Sequence, residues 1–281
     1  MKLIEKKSFD EERAFYGSDG IRVVECKFDG ERDGESAFKE SRDVETENCY
    51  FNLRYPFWHD SKVIIRHCEM TELCRAALWY SNGIRIDNTK LHGIKALREC
   101  ENIHIANSDI VSTEFGWFCK DVKLEQTAAV GEYFMMRSDR LDFKNASLKG
   151  KYSFQYITDS VFENCNFDTK DAFWHAKNVT VKNSVIKGEY LGWYCDNVTF
   201  ENCIISGTQP LCYCKGLKLI NCEMHGADLA FERSDVEAEV TTALISIKNA
   251  YTGYISAPAV DELIIDDEKA KCKLLIGGVE V

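Results

Sequence analysis

Glu99, Arg137 and His175 stand at one recurring place in the chain, four residues before an apolar anchor. His59, Tyr80, Tyr156, Tyr194, Tyr213 and Glu232 hold that same place in other copies. Eight residues before the anchor come Lys95, Tyr133, Tyr152, Asp171 and Tyr190, and five before it comes Arg98. A carboxylate, a guanidinium and an imidazole are what a metal-independent elimination or hydrolysis needs, because one group moves a proton while a cation neutralises an acidic sugar. Tyrosines mixed with His, Lys and Asp give apolar platforms with polar tips. Glu99, Arg137 and His175 are therefore the candidate catalytic residues. The other named residues form a candidate ligand-binding face, with an oligosaccharide as the expected partner.

Spacing restrains the catalytic reading. Glycoside hydrolysis wants two carboxyls ~5 to 10 Å apart. On stacked strands Glu40, Glu99 and Glu232 fall three and then seven repeats apart, ~14 Å or more. No ladder of acids offers the several oxygens that calcium prefers. A non-catalytic scaffold, or a module that binds glycan or protein without acting on it, stands beside the enzyme reading.

The anchors that set these columns are Ile21, Val44, Val63, Ile84, Ile103, Val122, Leu141, Ser160, Val179, Val198 and Leu217, and from Ile84 onward every step is 19 residues. Call each anchor position zero. Two residues later an apolar residue recurs, giving the period of a strand. Four later stands Asn (Asn48, Asn88, Asn107, Asn145, Asn164, Asn183, Asn202, Asn221), a residue that tolerates a left-handed bend. A small residue, often Cys, and a second apolar residue follow, then Gly. Three short strands and three bends per turn predict an all-β, single-stranded parallel β-helix of about 19 residues per coil and roughly 11–13 coils. A leucine-rich repeat would need a different leucine order and a helical return. Residues 1–20 read as an N-terminal cap, 21–240 as the repeats, and 241–281 as irregular last coils with a C-terminal cap, in one structural domain.

Strict alternation in the third strand would place the columns at minus four, minus six and minus eight outward, and those at minus three, minus five and minus seven inward. All five tryptophans (Trp58, Trp79, Trp117, Trp174, Trp193) share the minus-five column, which predicts interior packing.

The phrases "NLRYPFWH", "CRAALWYS", "GIKALREC", "EFGWFC", "GKYSFQY", "TQPLCYC" and "LAFERSDV", in this order on a 19-residue coil, resemble an uncharacterised bacterial family of pectin-lyase-like right-handed β-helices. The resemblance spans residues 10 to 240. It implies the fold and its right-handed winding, and it assigns no activity.

A net charge of −11 repels phosphate backbones and anionic lipid, so neither nucleic acid nor membrane is an expected partner. The charged start "MKLIEKKSFDEER" lacks the apolar run of an export signal, and a cytoplasmic location with reduced thiols is expected. Thirteen cysteines fall mostly in columns that want small interior residues. Cys212 and Cys214, with Cys195 and Cys222, have ligand-like spacing, but no metal and no cofactor is expected.

Overall fold

The computed structural model describes residues 1–281 and is all-β, a parallel β-solenoid of about 14 turns with no helix. By internal contacts the chain divides into two units, Met1–Ser147 and Leu148–Val281.

In the first unit, Asp19–Val24, Arg42–Glu47, Ser61–Arg66, Asn82–Asp87, Glu101–Ala106, Lys120–Glu125 and Asp139–Lys144 stack in parallel with position zero over position zero. Residues 1–20, expected to close an end, contain a rung of their own: Lys2–Glu5 pairs in register with Ile21–Val24. A second sheet is built from short strands such as Lys27–Phe28, Tyr50–Phe51 and Glu69–Met70. Such rungs at both ends account for a turn count above the sequence estimate.

The second unit repeats the plan with Thr158–Glu163, Lys177–Lys182, Asp196–Glu201 and Leu217–His225. Leu217–His225 runs through the bend and serves both sheets. Beyond it Asp235–Val240, Thr252–Ala257 and Lys273–Ile276 continue the first sheet, the step from Val236 to its partner Gly253 being shorter than the one from Tyr254 to Lys273. The antiparallel pairing of Val279–Glu280 on Lys273–Ile276 then ends it.

The burial pattern follows the sequence ruler. Positions zero, plus two, plus five and plus seven point inward and are almost wholly buried, as with Val179, Val181, Ser184 and Ile186. Equivalent phenylalanines lie over one another, Phe28 on Phe51 at 4.8 Å and Phe38 on Phe57 at 5.0 Å. Offset aromatic contacts of this kind add to the area buried. Every Asn of the plus-four column is left-handed, from φ 47° at Asn88 to 54° at Asn48 and Asn164. In the second unit Asn221 donates to Asn202 at 2.9 Å and Asn202 to Asn183 at 3.2 Å, so the bends are tied rung to rung. Twelve cysteines are buried, Cys272 is half-buried, and none is in a disulfide.

The third stretch departs from the sequence expectation. Only Leu78–Trp79 and Leu97–Arg98 pair there as strands. From Ser36 to Tyr213 the chain is left-handed at minus eight and minus four in each coil, and from Gly116 to Leu211 at minus six as well, as at Asp171, Phe173 and His175 (φ 54°, 61° and 55°). A left-handed residue resets the direction of the next side chain, so period two fails. Minus six is buried where alternation placed it outward, and minus seven is buried beside it, as Phe173 and Ala172 show. The expected outward face is confirmed only at minus four. The tryptophans, expected inside, are half-buried at the corner.

These bends leave carbonyls that no ladder satisfies, and side chains take them up. The indole N–H of Trp79 donates to the Lys95 carbonyl at 2.6 Å, Trp117 to Tyr133 at 2.7 Å, Trp174 to Tyr190 at 2.7 Å and Trp193 to Gln209 at 2.8 Å. Gln155 does the same with its amide, to the Asp171 carbonyl at 3.0 Å. The minus-three column works similarly: Ser81 Oγ donates to the Phe57 carbonyl at 3.0 Å and accepts from the Asp60 amide at 3.0 Å.

Candidate functional site

In the second unit the left-handed minus-four residues throw their side chains outward from successive rungs in the same direction. Tyr156 lies on His175 at 4.7 Å, His175 on Tyr194 at 5.0 Å and Tyr194 on Tyr213 at 4.9 Å, with interplanar angles of 8°, 8° and 14°. The outcome is a ladder of four rings, of which Tyr156 and Tyr194 are 40% and 46% exposed. Each inner ring is covered on both faces by its neighbours. Ring edges, phenol oxygens and imidazole nitrogens are what meet solvent. Behind the ladder Trp174 and Trp193 stack at 5.2 Å, and Tyr190 meets Trp193 edge-on at 5.6 Å.

One end of the ladder is fixed by charge. Tyr213 donates its hydroxyl to Glu232 at 3.2 Å, and Lys248 binds the other oxygen of Glu232 at 3.2 Å. Burial and then the Glu232 carboxylate push the Tyr213 phenol upward, keeping it a donor. Asp171 is buried, and that burial raises its carboxyl. Tyr152 and Tyr190 lie beneath lysines, Lys151 at 5.6 Å and Lys170 at 5.0 Å from the ring centres.

The first unit arranges the same columns differently. His59 stacks on Tyr80 at 4.8 Å. Arg98, standing where other coils carry Trp, lies between two of them, 5.2 Å from Trp79 and 5.3 Å from Trp117. Lys95 is paired with Glu114 at 3.1 Å. Tyr133 meets Trp117 edge-on at 6.4 Å. Arg98 and Lys95 are thus held by the wall of the solenoid.

The three candidate catalytic residues do not gather within one unit. Glu99 and Arg137 belong to the first unit, two rungs apart with Phe118 between them, and His175 sits inside the ring ladder of the second. Two rungs amount to ~10 Å. A neighbour of Glu99 that the column reading passed over is Glu101. The two share a shallow depression of about 440 Å³ with Phe118 and Lys120. Glu101 is paired with Lys120 at 3.5 Å, and Glu99 lies 3.8 Å from Arg98. The signal was present in "REC-EN", but Glu101 belongs to the strand start and not to the scanned columns. No group of three His, Cys, Asp or Glu side chains converges as metal ligands would.

Asp60 was also missed. It is buried at a position that Ser or Cys holds in most coils; its Oδ1 accepts from the Ser41 amide at 2.9 Å, and its Oδ2 has no partner. Burial, reinforced by Glu40 and opposed by the Ser41 amide, pushes its carboxyl up to about 8.

A family model described as "Protein of unknown function (DUF3737)" matches residues 2–276. No curated protein matches the sequence. Among solved structures, PfbA, a surface adhesin of Streptococcus pneumoniae, is similar at 9% identity over 85% of this chain and 82% of that one, with a TM-score of 0.46. The A-module of the mannuronan C-5 epimerase AlgE4 of Azotobacter vinelandii is similar at 10% identity over 84% and 87%, with a TM-score of 0.34. Neither likeness carries an activity to this chain.

Proposed function

We propose a function for a chain that belongs to the DUF3737 family of proteins of unknown function: it recognises a linear oligosaccharide, without cleaving it, along the ring ladder of its second unit. The observation that carries this reading is the exposed register of Tyr156, His175, Tyr194 and Tyr213 at 4.7 to 5.0 Å. A surface that repeats once per rung suits a ligand that itself repeats at a similar length, and the sugar units of a linear glycan do. Because the ring faces are taken, binding rests on ring edges and polar tips, which meet hydroxyls by hydrogen bonds and C–H groups by contact. Glu232, the carboxylate at the ladder's end, is already bound by Tyr213 and Lys248, which argues against its service as a general acid.

The test is a glycan array with neutral and uronic-acid oligomers, followed by titration of the best binder. Tyr194→Ala and His175→Ala should each weaken it by about tenfold, the effect of losing a buried polar and apolar contact together. Wild-type protein that binds no glycan, or variants that bind as well as wild type, would overturn the reading.

A second reading attaches to the Glu99 and Glu101 depression, where two carboxyls and an aromatic ring meet at one surface. Hydrolysis there would require release of reducing ends that Glu99→Gln abolishes while binding at the ladder persists.

A further inference from the structure

Uneven coil lengths cut a groove into the first unit. Between its second strand and the following bend the chain spends seven residues at 29–35, three at 52–54, five at 71–75 and three at 92–94. The strands on either side of this corner stay in register, so the extra residues have nowhere to go but outward. A short corner between two long ones is a floor between two walls. The hollow is about 450 Å³, within the size range of small-molecule sites.

Floor residues hold the walls in place. Asn52 donates to Asp29 of one wall at 2.9 Å and accepts from Thr71 of the other at 2.5 Å. Arg54 binds Asp33, and also Glu35 at 3.1 Å. These bonds use up the polar groups of the floor. Glu72 and Arg75 are both exposed and in no ion pair, beside Leu73 and Ile94, which are 57% and 43% exposed; Asp29, also exposed and in no ion pair, is held by Asn52. Leu53 lies on the floor one rung before Leu73, and Ile94 lines the hollow from one rung beyond it.

Unpaired charges of opposite sign flanking exposed aliphatic surface complement a zwitterion with an apolar body. We propose that this groove binds a free α-amino acid with an aliphatic or aromatic side chain. Its carboxylate meets Arg75, its ammonium meets Glu72, and its side chain covers Leu53, Leu73 and Ile94. The site is independent of the ring ladder and stands whether or not that ladder binds glycan.

Calorimetric titration of the full chain tests it. L-leucine and L-phenylalanine are the probes, compared with 4-methylpentanoate, which lacks the ammonium, 3-methylbutylamine, which lacks the carboxylate, and glycine, which lacks the apolar body. The amino acids should bind, and each analogue should bind about tenfold more weakly, as loss of one charge-assisted contact gives. Arg75→Gln should weaken leucine by a similar factor and leave 3-methylbutylamine unchanged; Glu72→Gln should weaken leucine and leave 4-methylpentanoate unchanged. Both side chains are exposed, so unaltered circular dichroism is expected and checks that the variants are folded. No heat from leucine or phenylalanine at millimolar concentration, an analogue binding as tightly as leucine, or indifference to Arg75→Gln would overturn the proposal.

Discussion

Trp58 is the exception in its column. Trp79, Trp117, Trp174 and Trp193 each give an indole hydrogen to a backbone carbonyl, whereas the buried Nε1 of Trp58 has no partner. Replacing Trp by Phe should therefore cost about 1 kcal/mol beyond the packing loss at the four bonded positions. Trp58→Phe should lack that penalty, a difference that urea unfolding midpoints measure. Asp60 makes a pH-dependent counterpart. With its carboxyl raised to about 8 in the folded chain, against about 3.9 when unfolded, the folded state holds the extra proton between those values. Its contribution to stability is complete below about pH 4 and is lost as pH rises to about 8, by up to roughly 1.4 kcal/mol per unit. Asp60→Ser, which restores the side chain found at Ser41 and Ser81, should remove this slope. The variant should be more stable than wild type at pH 8 and gain less at pH 5, as denaturant melts at the two pH values would show.

At the level of the element, the strands were legible and the bends were not. Positions zero, plus two and plus seven announce themselves because one buried face imposes a period of two, as in Val179, Val181 and Ile186. The stretch from Asp171 to Trp174 defeated the same rule, since left-handed Asp171 and Phe173 leave Ala172 and Phe173 both buried. No residue type marks that geometry when Tyr, Phe and His adopt it in place of Gly or Asn. The bulk of Trp points to the core, whereas its donor hydrogen is what the corner uses. Among the candidate site residues, the outward direction of His175 and Tyr194 was readable, while the covering of their ring faces was not. Left-handed positions also give a prediction. Lys62 is exposed at φ 55°, just before position zero, where Gly83 and Gly216 stand in other coils. Lys62→Gly should stabilise by about 0.5 to 1 kcal/mol through relief of that backbone conformation. Gly93→Ala should destabilise strongly, because a Cβ there would collide with the Cys74 carbonyl. Thermal melts of the pair should move in opposite directions.

Across the whole molecule the 19-residue ruler is the organising quantity, and its breaks carry as much information as its regularity. Coil lengths of 23 and 21 before Ile84 were visible in the sequence. Their meaning, a groove, required knowing that all the surplus falls at one corner. Modularity follows from contacts made only between adjacent rungs. Removing residues 179–197 joins Asn178 to Val198 and deletes one coil. This variant should keep a β-rich circular dichroism spectrum and cooperative unfolding, with a smaller denaturant slope in proportion to the surface lost. Removing 179–196 instead puts every later side chain out of phase and should abolish cooperative folding. Finally, the twelve shielded thiols make the native chain nearly inert to alkylating reagents. Cys272, the half-shielded thiol, is itself slowed, because burial pushes it up to about 11 and leaves little thiolate at neutral pH. Mass added by iodoacetamide over time thus serves as a stopwatch for transient opening, each cysteine timing the rung that encloses it.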